Sequence, residues 1–237
     1  MPRKLRPLKA GSLRSQVRDW IYDSIVSGRL RPGDPLRELD LARDLRVSQA
    51  TVRDALMQLE PTGLVVRVPN KETTVTRLSQ QELRDRKWIR MLLEPEAGVE
   101  AARGMTPADH HELVRRLHAI NKAISKNAYF ELAQADLEFH RFIWKAANAT
   151  IFRVLDNLTA PMFAFVTILR SISHEDLKPG VRAHEPIVEA ITQNDPARIR
   201  TAMREHIDNS YQEYLDSDWE TFEVLAQSRA RLVEASK

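Results

Sequence analysis

Apolar residues recur every fourth position at Leu13, Val17, Ile21 and Ile25, with Trp20 beside them, so residues 12–27 are expected to form an amphipathic helix. Gly28 suits the C-terminal cap of that helix, and Pro32-Gly33 suits the turn after it. A short helix fits "RELDLARDL" at 37–45. Ser48 then offers an N-cap to a third helix reaching about Glu60, whose apolar face is Val52, Ala55, Leu56 and Leu59. Pro61 and Gly63 stop it. Beyond them, "LVVRV" and "TTVTRL" are β-branched runs flanking "PNKE", which together read as a two-stranded hairpin.

From Ser79 onward the pattern is helical throughout. Helices are expected near 79–103, 107–126, 128–147, 151–172, 181–193, 196–215 and 217–234. Thr106-Pro107-Ala108-Asp109 supplies a cap, a proline at the first helical position and an acid in the first turn. "KPG" at 178–180 and "NDPAR" at 194–198 break the chain. The fold class expected is mainly α. Residues 1–78 would form three helices plus a β-hairpin wing, and residues 79–237 an all-α bundle of six to seven helices.

Composition narrows this further. Only 7 glycines in 237 residues argue against a large β-protein, and the absence of Cys excludes disulfides and thiolate metal sites. The longest apolar-looking run, "APMFAFVTIL", is about half a membrane span, and no apolar segment follows the basic N-terminus. A cytoplasmic protein without membrane partners is expected. The net charge of +3 hides an asymmetry: residues 1–78 carry 15 Lys+Arg against 9 Asp+Glu, and residues 79–237 carry 21 against 24. That split fits either a basic module facing a polyanion or a solvated tail on a neutral domain.

Three helices and a hairpin with a turn before the third helix describe a winged helix-turn-helix, in which the start of the third helix reaches base edges in the major groove. Gln49, Thr51 and Arg53 stand there. Arginine pairs bidentately with guanine and glutamine with adenine. Arg46, Ser48, Lys71 and the arginines of the N-terminal arm suit phosphate contacts. A small α+β domain with a charged face is the alternative.

The stretch "RPGDPLRELDLARDLRVSQATVRDALMQLEPTGLVVRVPN" resembles the winged-helix domain of the GntR family of bacterial transcription regulators. The Pro-Gly turn, the Leu-Ala pair, Val-Ser, and Val-Arg-Asp-Ala-Leu before Gly-Leu-Val carry the resemblance. It implies a homodimer on a palindromic operator in double-stranded DNA, with Arg53 as the base-reading arginine. Three positions depart from the pattern. Gln49 replaces a usual arginine, which changes the operator bases expected. Arg46 replaces the turn glycine, so the turn needs either a strained φ or another path. Glu72 replaces the wing-tip glycine, which argues against minor-groove entry by the wing.

In "DLEFH", Asp136 and His140 are i and i+4, so on a helix they share one face. Two more histidines, His184 in "RAHEPIVEAI" and His206 in "AMREHI", lie on later expected helices. Three imidazoles and a carboxylate suffice for a first-row metal. By spacing alone, Asp136 and His140 fit solvated surface partners as well.

Residues 79–215 resemble FCD, the helical effector domain of the FadR branch of that family. Its pattern is Arg-x-x-x-Glu, then Asp-x-x-x-His, a His before Ile-x-x-Ala-Ile, and a His ending the next helix. Those positions are Arg90 and Glu94, Asp136 and His140, His184, and His206. The resemblance implies that Asp136, His140, His184 and His206 ligate one divalent transition metal per chain, zinc or nickel, and that the effector is a small organic acid. Arg90 is the candidate for the effector's carboxylate, its other reading being a salt bridge to Glu94. Asn148 either lines the pocket or caps the next helix. His110, His111, His118 and His174 read as solvated.

The leading function is a metabolite-responsive regulator, a repressor by the commoner behaviour of the resembled family, and not an enzyme. A metal-dependent hydrolase is one rival, because a His₃Asp centre with an open position activates water. Against it, Val188 occupies the second histidine position of H-E-x-x-H in "HEPIV". An effector-independent DNA-binding protein is the other.

Overall fold

The computed structural model describes residues 13–26, 28–67, 72–173, 177 and 183–216. The basic N-terminal arm, Lys71, His174, the break at 178–180 and the helix expected over 217–234 lie outside the described residues. The chain divides into two compact units, residues 1–76 and 77–237.

In the first unit, α1 (Leu13–Val26) buries Val17, Ile21 and Ile25, while Leu13, at its first residue, stays exposed. Gly28 follows in the left-handed region, its N–H bonded to the Ile25 carbonyl. The next helix, α2 (Glu38–Leu45), ends at Arg46, which takes φ 55° and ψ 45°. The Val47 N–H reaches the Ala42 carbonyl and the Arg46 N–H the Arg43 carbonyl, a Schellman closure. Arginine therefore fills the glycine conformation rather than rerouting the turn. Ser48 Oγ accepts the Thr51 N–H at 3.1 Å and caps α3 (Gln49–Leu59), which buries the four apolar residues expected of it. A 3-10 turn holding Pro61 leads through Gly63 to β1 (Val65–Arg67), antiparallel to β2 (Thr73–Val75) with Val65 opposite Val75. Pro35 bridges Thr74 on the far side of β2, which ties the approach to α2 onto the hairpin.

Six further helices are described in the second unit. Ser79 and Glu82 form a capping box on α4 (Gln80–Gly104), and Thr106 and Asp109 form another on α5 (Pro107–Ser125). The α6 helix (Tyr129–Ala147) ends at Asn148, whose Oδ1 accepts the N–H groups of Thr150 and Ile151 and so starts α7 (Ala149–Ser173). That settles Asn148 as a cap. Pro161 lacks an N–H inside α7 and so frees the Asn157 carbonyl; Arg86 Nη1 lies 3.5 Å from that oxygen and donates to the neighbouring Leu158 carbonyl at 2.7 Å. The apolar segment is longer than the run expected. Ala149–Thr167 has the length and hydropathy of a membrane span, but half of it is buried within the fold, as in a core helix. Two helices complete the bundle, α8 (Glu185–Thr192) and α9 (Pro196–Asp216). The start of α8 at Glu185, with Pro186 in its first turn, leaves His184 just ahead of the helix and not on it as expected.

Close approach of α4 to α9 depends on Gly98, where a Cβ would meet Ile199 Cγ2 at 2.8 Å. Gly98→Ala is expected to destabilise the chain by about 1–3 kcal/mol through overpacking, read as a lower urea midpoint at unchanged slope. A midpoint at or above the native value would contradict this contact.

Candidate functional site

The α6 backbone places Asp136 and His140 one turn apart on its inner face, α9 brings His206, and the turn before α8 brings His184. One ligand atom from each residue lies within 4.8 Å of all the others. His140 Nε2 is 3.2 Å from His206 Nε2, and Asp136 Oδ1 is 3.0 Å from His184 Nε2 and 3.4 Å from His140 Nε2. The three rings are buried, walled by Phe139, which meets His140 and His184 edge-on.

These residues fit a small cation. Ligand bonds of about 2.0–2.1 Å in a tetrahedral shell put neighbouring donors roughly 3.4 Å apart, close to the spacings found. Two ring nitrogens facing each other at 3.2 Å share at most one proton between them, whereas a cation takes both lone pairs. Burial drives the His206 pKa well below its ordinary range, which keeps that imidazole neutral as a ligand must be.

Around this cluster lies a second, charged layer. His140 Nδ1 is 3.1 Å from Glu94 Oε2, while Glu94 Oε1 accepts Arg90 Nε. Arg90 Nη1 donates to Tyr211 Oη at 2.5 Å, and the guanidinium lies over the Phe163 and Tyr211 rings. Arg90 and Glu94 are both buried. Burial opposes charge on Glu94, but Arg90 and His140 outweigh it and hold the carboxyl at about 2. Burial likewise opposes ionisation of Asp136, and His184 and His140 pull it well below the usual carboxylate range. For His140, burial is overcome by Glu94 and Asp136, which raise it.

A depressed carboxyl stabilises the fold fully above its unfolded pKa and loses that contribution as pH falls through the folded value. Unfolding free energy is therefore expected to fall progressively between about pH 4.5 and about pH 2 through Glu94. Urea titrations at stepped pH check this, and a constant free energy across the window would contradict it.

A cavity of about 20 Å³ adjoins the cluster, bordered by Arg90, Asp136, Phe163, His206, Ser210 and Tyr211. It has room for about one water. Arg90 pairs with Glu94, which is one of its two expected readings, and it also borders the cavity. The sequence reading missed Tyr211 and the contact of Glu94 with His140.

In the first unit, Ser48 serves as the α3 cap, Thr51 bonds to it, and Arg46 forms the left-handed turn. Gln49 and Arg53 are not free. Both donate to Glu38 on α2, Gln49 Nε2 at 2.9 Å and Arg53 Nη2 at 2.7 Å. Glu72 pairs with Arg37 at 2.8 Å. Glu38 had no sequence signal beyond an acid in a first helical turn.

Comparison with known proteins is consistent across both units. Residues 13–75 match the model of the bacterial regulatory proteins of the gntR family, and residues 88–209 match the FCD domain. A probable D-xylose utilization operon transcriptional repressor of Paenarthrobacter nicotinovorans is 33% identical over 199 residues, covering 83% of this chain and 86% of its own. The transcriptional repressor RspR of Escherichia coli is 26% identical over 82% of this chain and 86% of its own. Among solved structures, E. coli McbR/YncC superposes with a TM-score of 0.73 at 23% identity, covering 86% of this chain and 99% of the other.

Proposed function

The chain belongs to the gntR family of bacterial regulatory proteins and carries an FCD domain, and on that premise we propose that it is a transcriptional repressor whose grip on its operator is set by a small organic acid bound at a metal centre. Residues 1–78 would read DNA, and residues 79–237 would dimerise and hold the effector. Two relatives named as repressors support the sign of regulation. The observation that carries the sensor half is the convergence of Asp136, His140, His184 and His206 on one buried point.

In this reading the four side chains hold one divalent cation, zinc or nickel, per chain. When bound, the cation supplies a Lewis-acidic position for a carboxylate oxygen. Glu94 holds Arg90 at the cavity edge, where the guanidinium would pair with the acid's carboxylate. The cavity of about 20 Å³ has room for about one water, so in this reading a larger acid would widen it as it binds. That displacement is the difference between two states that an effector selects by its differential affinity. Two heads on a palindrome would then change their separation. Arg46, Ser48 and Lys71 would contact phosphate, while Gln49, Thr51 and Arg53 would face the base edges.

Equilibrium dialysis against zinc and nickel, followed by elemental analysis, tests the metal half. One ion per chain is expected, and a protein that retains none contradicts the proposal.

A further inference from the structure

We propose that Glu38 is a positioning residue for sequence readout: it holds Arg53 and Gln49 by the edges that do not face the bases. Arg53 Nε donates to Glu38 Oε1 at 3.1 Å and to Oε2 at 3.0 Å, and Nη2 donates to Oε2 at 2.7 Å. Gln49 Nε2 donates to the same Oε2 at 2.9 Å. One carboxylate at the start of α2 thus clamps two side chains of α3.

What each side chain keeps is the part that reads a base. A guanidinium has two donor edges, Nε with Nη2 and Nη1 with Nη2. Glu38 takes the first, and Nη1 makes no hydrogen bond among the described residues. The second edge is the fork that matches guanine O6 and N7. Gln49 likewise keeps its carbonyl oxygen and one amide proton, the pair adenine requires. Arg53 is half exposed and Glu38 less so, as expected of a buttress beneath a reader. A long side chain fixed before binding loses less rotamer freedom on the DNA, and a fork held in one plane tolerates fewer wrong bases. The Arg53 guanidinium in turn holds Glu38 in its charged form. A bare acid near DNA would only repel phosphate, whereas this one is neutralised by the residue it orients.

The test uses the full chain and Glu38→Gln, with two probes: the duplex that the native protein recovers from a random-sequence pool, and a duplex of scrambled sequence. Affinities for both are measured at several salt concentrations. The expected result is that the ratio of recovered to scrambled affinity falls roughly tenfold, while binding to the scrambled duplex holds or rises. In a background carrying both Arg53→Ala and Gln49→Ala, Glu38→Gln is expected to leave the ratio unchanged, because its effect runs through those two readers. A repeat selection with Glu38→Gln should relax preference at the base pairs that Arg53→Ala also relaxes. Two outcomes overturn the proposal. If both affinities rise together at constant ratio, Glu38 acts only by repulsion. If the ratio falls as far in that doubly substituted background, Glu38 acts through the fold of the head and not through its readers.

Discussion

Replacing His206 with alanine is expected to lower zinc or nickel affinity by more than the roughly 10–100-fold that loss of an outer-shell partner costs. The imidazole is buried, and its Nε2 stands 3.2 Å from that of His140, so its loss removes one of the four converging ligand atoms. Competition against a chelating indicator gives the affinity. The same variant should remain folded without metal, because a neutral ring is lost and no charge is left unpaired. Affinity equal to the native value would remove His206 from the centre.

Glu94→Ala should be the most destabilising single change in the second unit. It strands the buried Arg90 guanidinium, whose remaining described hydrogen-bond partner is a tyrosine hydroxyl. Removing one member of a buried ion pair costs about 3–5 kcal/mol. For a domain of this size that lowers the unfolding temperature by roughly 10 °C, measurable by calorimetry. Replacing both members with apolar residues, as Arg90→Met with Glu94→Leu, should recover most of the loss. If the single variant melts with the native protein, the pair is not the buried bridge described here.

Much of this was readable from residue spacing, because the features concerned are local. The capping boxes at Ser79 and Thr106 and the apolar stripe of α3 each lie within a few residues of chain. The departure at Arg46 was legible too: a turn that wants glycine, given arginine, had to use a positive φ or move, and it uses φ 55°. Asp136 and His140 share a face by helical period alone. That His184 and His206 join them depends on how three separate segments pack, which no period encodes, and the family pattern supplied it. The misplacement of His184 on a helix came from reading apolar periodicity back past Pro186. Glu38 and Tyr211 act at long range, so their roles became visible only with Arg53 and Arg90 beside them.

The most direct test is the affinity of the metal-loaded chain for its selected duplex, measured by fluorescence anisotropy across a panel of small carboxylates, with His206→Ala in parallel. The account predicts that at least one acid weakens duplex binding by the native protein and leaves the variant unmoved. If no acid shifts the native affinity, or the variant responds as the native protein does, the metal centre does not govern the DNA-reading head.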